Sequence, residues 1–397
     1  MNPQRCRAPV GLILGAVAAL TPIRAASPLQ GHVGHMDMQM DASGPAPAIC
    51  QLLGSRPVVI PTTLANARNV APFLRVTDAR SLGELVIEVG PVDIPARGMP
   101  AESRQLVYQL TRFPLDAWVH GFRLELTDAR GRPVPRSVLH HIDTTRPAAR
   151  DLFLPVAQRF VALGSETGSQ NLPGWLAGVP IYRGEPLLVS TMLHNPTATA
   201  YTGVRVRLVL AYTRTRPLDE VAGFRLDVMF PTGPMEYDLP PGRTVRSWEG
   251  SPQVPARILA LTGHLHRYAE WIEFRDVTTG AVLWSARPRV NAAGDVTGVP
   301  VSFLRWGLGQ TVYPTHRYRV TASYWNPTGA RISDGAMAKL AGIFAPVRPL
   351  APVDVRDPMY QTDLRYLLGL GCGARAMPEM LAHGPHPAGA AFGHIVH

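Results

Sequence analysis

The sequence predicts an all-β protein made of two tandem antiparallel β-sandwich domains of jelly-roll-like type. Three observations carry that expectation. Short alternating or β-branched runs recur between Gly- and Pro-rich turns, at the spacing of sandwich strands. No long helical period is present, and 39 prolines would interrupt one. The 397 residues exceed what one hydrophobic core ordinarily supports, so two domains are the natural division.

Taken from the N-terminus, residues 1–26 read as a secretory signal peptide. Arg5 and Arg7 precede the apolar run Val10 to Leu20, and Ala25-Ala26 follows. That run is far shorter than the roughly 20 residues that span a bilayer core, and no later stretch reaches that length. The expectation is an exported chain, secreted or periplasmic, with no membrane span. Residues 27–55 form a tail carrying His32, His35, Met36, Met38 and Met40, imidazole and thioether groups that together suit copper.

The first sandwich is placed in 56–214 by the runs GELVIEV (83–89), WVHGFRLEL (118–126), PLLVSTMLH (186–194) and GVRVRLVLAYT (203–213). The segment RTRPL (214–218) marks the division. The second sandwich, 215–350, contains GFRLDVMF (223–230), RILALTGHLH (257–266), AEWIEF (269–274) and YRVTASYW (318–325). No close internal repeat is evident. Residues 351–397 read as a C-terminal tail with His383, His386, His394 and His397.

Hydrophobic residues make up 46% of the chain and charged residues 17%, the composition of a folded protein. A formal charge of +10 would suit a nucleic-acid partner, but the basic residues are spread almost evenly. Nearly all of them are arginine, with Lys339 the single lysine, so no nucleic-acid partner is expected. Cys6 falls in the signal segment. Cys50 and Cys372 are left in an oxidising compartment, where a disulfide between them would tie the chain ends together; free thiols are the alternative.

With so few cysteines, metal chemistry falls to histidine. His264 and His266 sit at i and i+2 on a strand, so both point to one face and can converge on one ion. His140 and His141 are adjacent, so sharing an ion needs a bulge or an ion at a strand edge. His194 ends the run STMLH. Each motif alone is more often ordinary surface or core histidine than a metal site.

The surrounding sequence resembles the ascorbate-dependent, two-copper monooxygenases, the family of the peptidylglycine-hydroxylating and dopamine β-hydroxylating enzymes. The similarity runs from about Trp118 to Phe344: HGFRLEL before VLHHI, LHNPT before YTGVRVRL, LPPGRTV at 239–245, HLH, and WNPTGARISDGAMAKL. It implies two copper ions. His140, His141 and His194 correspond to ligands of an electron-supplying copper, and His264, His266 and Met337 to those of an oxygen-activating copper. A thioether beside two imidazoles suits an ion that must visit Cu(I). The implied partners are a small-molecule substrate, O2 and a reductant such as ascorbate.

The family pattern is incomplete. Ala338 stands where a cysteine follows the methionine, and Thr262, Lys339 and Ala341 stand where the peptide-amidating members grip a substrate carboxylate, so a glycine-extended peptide is not the expected substrate. Lys339, on the side of Met337 if the segment is extended, is a candidate for pairing with an anionic substrate. Two other readings stand beside the enzyme: a copper-binding or storage protein of the same fold without turnover, and an adhesion or scaffold module with incidental histidines.

Overall fold

In the computed structural model, residues 74–100, 109–165, 167–229, 236–292 and 294–367 are described. The signal segment, the His/Met-rich tail and the last thirty residues, with Cys6, Cys50, Cys372 and the terminal histidines, lie outside them.

The first half of the chain forms strands β1 (Leu74–Ala79), β2 (Glu84–Ile94), β3 (Gln109–Arg112), β4 (Ala117–Thr127), β5 (Leu139–Arg150) and β6 (Ala157–Gly164). After them come β7 (Gln170–Asn171), β8 (Ala177–Ile181), β9 (Pro186–Leu193), β10 (Tyr201–Thr213) and the short β11 (Asp219–Glu220). One sheet runs β1-β2-β10-β4-β8-β11 and the other β3-β9-β5-β6. The eight strands β2-β10-β4-β8 and β3-β9-β5-β6 have the order of a jelly roll, with antiparallel pairing throughout.

The second half repeats that plan. Its strands are β12 (Ala222–Asp227), β13 (Glu236–Leu239), β14 (Gly242–Gly250), β15 (Ala256–Leu265), β16 (Ala269–Asp276) and β17 (Val282–Ala286). The short β18 (Arg289–Val290), β19 (Val296–Gly298), β20 (Ser302–Phe303) and β21 (Gln310–Val312) lead to β22 (Tyr318–Asn326) and β23 (Ile332–Pro346). The sheets run β12-β23-β15-β20 and β14-β22-β16-β17, strand for strand the arrangement of the first half. The duplication that no run of residues disclosed is therefore present in topology.

One local motif is shared by both halves, at the turn that joins the last two long strands. Asn195 accepts from the Thr197 amide and hydroxyl and donates to the carbonyls of Pro95 and Thr199. Asn326 does the same with Thr328, Leu239 and Ala330. Both Asn-Pro-Thr turns stitch their own loop to the end of a distant strand, β2 in one half and β13 in the other, and both asparagines are buried.

Each sandwich has its own hydrophobic core, the first built on residues such as Leu85, Ile87, Leu208 and Leu210, the second on Phe224, Phe274, Tyr318 and Tyr324. The β5–β6 loop of the first half crosses into the second core, where the Phe153 ring meets Phe224, Trp248, Phe274 and Tyr318 at centroid distances of 5.6–6.4 Å. Buried Asp151 shapes this loop, accepting from the amides of Phe153 at 2.9 Å and Leu154 at 3.3 Å, and from Arg225 of β12 at 3.1 Å. Helix α1 (Pro358–Leu367), inside the stretch read as a tail, docks on the first half. Its Tyr360 donates to the Pro147 carbonyl, and its buried Asp363 pairs with Arg159 at 2.6 Å. No helix among the described residues is long and apolar enough to cross a membrane.

Candidate metal centres

The adjacent histidines of β5 sit on a bulge. Leu139 pairs with Leu193 and His141 with Met192, so β5 spends three residues where β9 spends two, and His140 is the extra one. The bulge sets the two rings 5.3 Å apart at 51°, with His140 exposed and His141 buried. Two imidazoles sharing one ion through bonds of about 2.0–2.1 Å have centroids on the order of 5 Å apart, so this pair fits a common metal. Asp143, two residues along β5, sets Oδ2 3.0 Å from Nδ1 of His141, with both side chains buried.

His194 follows β9 directly. Its backbone N–H donates to the Val138 carbonyl at 2.9 Å, which extends the β5–β9 pairing past Leu139 and Leu193. The exposed His194 thus lies one residue beyond that pair on the Val138 side, whereas His140 lies on the other side of it, in the bulge. Among the described residues, no three side chains of His, Cys, Asp and Glu gather as a metal-holding group, so His194 does not close a triad with the pair.

The second set lies where β15 meets β23. His264 pairs with Lys339 and Leu265 with Ala338, and the same register carried one residue further sets His266 opposite Met337. Directly opposed residues share a sheet face, and so do residues two apart. His264, His266, Lys339 and Met337 therefore belong to one face. The two imidazole centroids are 5.4 Å apart with rings at 83°, the same fit to a common ion as in the first pair. Met337 is fully buried.

The same face continues across β23 as a buried charge cluster. Lys339 pairs in register with Asp227 and Met337 with Glu236. Lys339 is 2% exposed. Burial pushes its ammonium well below the usual value, Arg225 acts in the same direction, and Asp227, Asp143 and Glu236 oppose them. Burial likewise pushes the Glu236 carboxyl up to about 8, helped by Asp334 and Asp227 and countered by Lys339. A substrate anion at Lys339 would compete with three carboxylates already acting on it. Asp143 belongs to the first half, so the field at Lys339 is drawn from both sandwiches.

No family model and no curated protein matches the chain. Among solved structures, the chain is similar to the major capsid protein P2 of bacteriophage PM2, at 10% identity and TM-score 0.34 over 67% of this chain and 98% of that one. It is similar to a peptide-N(4)-(N-acetyl-β-D-glucosaminyl)asparagine amidase to the same extent, with 10% identity, TM-score 0.33, and 67% and 98% covered. The mavirus major capsid protein aligns with 82% of this chain and 93% of its own at 8% identity and TM-score 0.18.

The sequence reading overlooked Asp143, Asp227, Glu236 and Tyr324. Asp143 had a legible signal, since His-x-Asp on a strand puts both side chains on one face. Asp227 and Glu236 reach the site by pairing with β23, and Tyr324, on the facing sheet, by the bonds of its hydroxyl to the His266 amide and the Met337 carbonyl.

Proposed function

We propose that the chain is an exported copper-dependent monooxygenase that hydroxylates a C–H bond of a small-molecule substrate with O2 and a reductant such as ascorbate. The observation that carries this reading is the end of the β15–β23 ladder, where the register carried one residue past Leu265–Ala338 brings His266, on the face of His264, opposite Met337. Two imidazoles and a thioether make a donor set suited to copper in both oxidation states. Copper, when bound, would supply the one-electron redox change and the reduction of O2 that no side chain here can provide.

The chain's own part is to hold and orient. His264, His266 and Met337 would hold one ion, and His140 and His141, with His194 close by, the other. Asp143, with Oδ2 3.0 Å from Nδ1 of His141, stands where a carboxylate would steady that ring and would leave Nε2 to hold an ion. The test is metal content and ascorbate-fuelled oxygen uptake of the copper-loaded protein with a substrate panel. Two coppers per chain and loss of uptake in Met337→Ala are the outcome in favour; an unchanged rate in that variant sinks the assignment. A copper-binding protein without turnover is the second reading, favoured by the complete burial of Met337, since a thioether sealed from solvent suits holding Cu(I). Two bound coppers with no uptake on any substrate would select it.

A further inference from the structure

The end of β15 is tied to β23 by a residue with no place in the ligand set. Tyr324 of β22 lies in the opposite sheet of the second sandwich and is fully buried. Its hydroxyl accepts from the backbone N–H of His266 at 3.1 Å and donates to the backbone carbonyl of Met337. Cross-strand pairing of β15 with β23 stops at Leu265–Ala338, one residue short of His266. The hydroxyl takes over there, holding His266 and Met337 to each other where the ladder no longer does.

The backbone on both sides is strained, so such a tie has work to do. Two residues past His266, Tyr268 has φ 71°, a left-handed conformation rarely adopted by a bulky side chain. Three residues before Met337, Asp334 has φ 48°. The turn after His266 closes with the Ala269 amide on the His266 carbonyl at 3.3 Å, and the Tyr268 carbonyl accepts from Trp325, next to Tyr324, at 2.9 Å. Strained backbone persists only where its surroundings over-determine it. Here β22 provides that restraint from the facing sheet.

We propose that Tyr324 is a positioning residue, whose hydroxyl sets the separation of His266 and Met337 and thereby makes a methionine available to an ion held by the histidine pair. The proposal rests on the copper reading for its consequence but not for its geometry. Its variant is Tyr324→Phe, which keeps the ring and removes both bonds. Tyr237→Phe is the control, because the Tyr237 ring lies 6.0 Å from that of Tyr324 and its hydroxyl bonds neither ligand.

Two measurements on the full chain test it. In the metal-free protein, amide hydrogen exchange at His266 should be slow in the wild type, although it lies past the last ladder pair, and at least tenfold faster in Tyr324→Phe. A fast amide in the wild type, or an equally slow one in the variant, overturns the proposal. The wild-type half needs no variant, so a Tyr324→Phe protein that fails to fold does not remove the test. In the Cu(I)-loaded protein, X-ray absorption should show a sulfur neighbour in the wild type and in Tyr237→Phe, and lose it in Tyr324→Phe at unchanged metal content. A retained sulfur signal overturns the proposal. Absence of sulfur from the wild type while His266 exchange behaves as stated sinks the copper reading instead, with the proposed consequence for the ion, and leaves the backbone tie standing.

Discussion

Asp143 sets a carboxylate oxygen 3.0 Å from Nδ1 of His141, two residues back on the same strand, and both side chains are buried. A carboxylate behind a ligating imidazole steadies the ring in its orientation. Its loss typically lowers metal affinity about 10- to 100-fold. Asp143→Asn should therefore weaken one copper by that factor and leave the other unchanged, as read by competition against a chelator of known affinity. Equal affinities for both coppers in variant and wild type would refute the assignment.

Phe153 ties the two sandwiches together, because a residue of the first half fills the aromatic core of the second. Phe153→Ala should cost about 3–5 kcal/mol, the loss for truncating a buried phenylalanine with incomplete collapse of the cavity. The expected signature in thermal unfolding is a lowered midpoint with the second half melting first. A variant within about 0.5 kcal/mol of the wild type would mean that the loop leaves that core at little cost.

The two Asn-Pro-Thr turns should fail independently. Asn195→Ala and Asn326→Ala each remove two amide-to-carbonyl hydrogen bonds, at a combined cost of about 1–3 kcal/mol. Since the two asparagines share no partner, the double variant should show the sum within about 0.5 kcal/mol. Denaturant titration of the four proteins checks this. A large coupling energy would show that the turns communicate through the sandwich interface.

Glu236 gives stability a definite pH dependence. Its carboxyl is pushed up to about 8 in the fold, above the ordinary value of 4.5, so the folded state keeps a proton that the unfolded chain has lost. This contribution is fully present below the unfolded value and disappears as pH rises toward 8. Glu236→Gln cannot lose it. The stability of Glu236→Gln relative to wild type should therefore rise from pH 5 to pH 8 and level off above. A flat difference across that window would show that Glu236 titrates normally. Lys339 contributes a slope of opposite sign, which is why the difference between the two proteins, rather than either curve, is the quantity to read.

The strands and the His264–His266 pairing were legible because both depend on the two-residue period of a strand, a property of neighbours along the chain. GELVIEV, RILALTGHLH and YRVTASYW fall on β2, β15 and β22. The bulge at His140 was legible only as a condition, since whether β5 slips by one residue depends on β9. Lys339 shows the limit most clearly. As the single lysine among 38 arginines, it stood out, yet nothing nearby in sequence says that it is buried.

By itself the sequence determined the all-β class, the alternation that gives each strand an apolar face, and the shared face of His264 and His266. The two tandem jelly-roll-like sandwiches were legible too, but tertiary structure alone decided which strands pair and in what register, the partnership of His266 with Met337 through Tyr324, and the enclosure of Lys339 among carboxylates from both halves. The physical reason is that side-chain direction is set within two residues of backbone. Register and burial are set by strands tens of residues apart, whose pairing is favourable only once both sandwiches have closed.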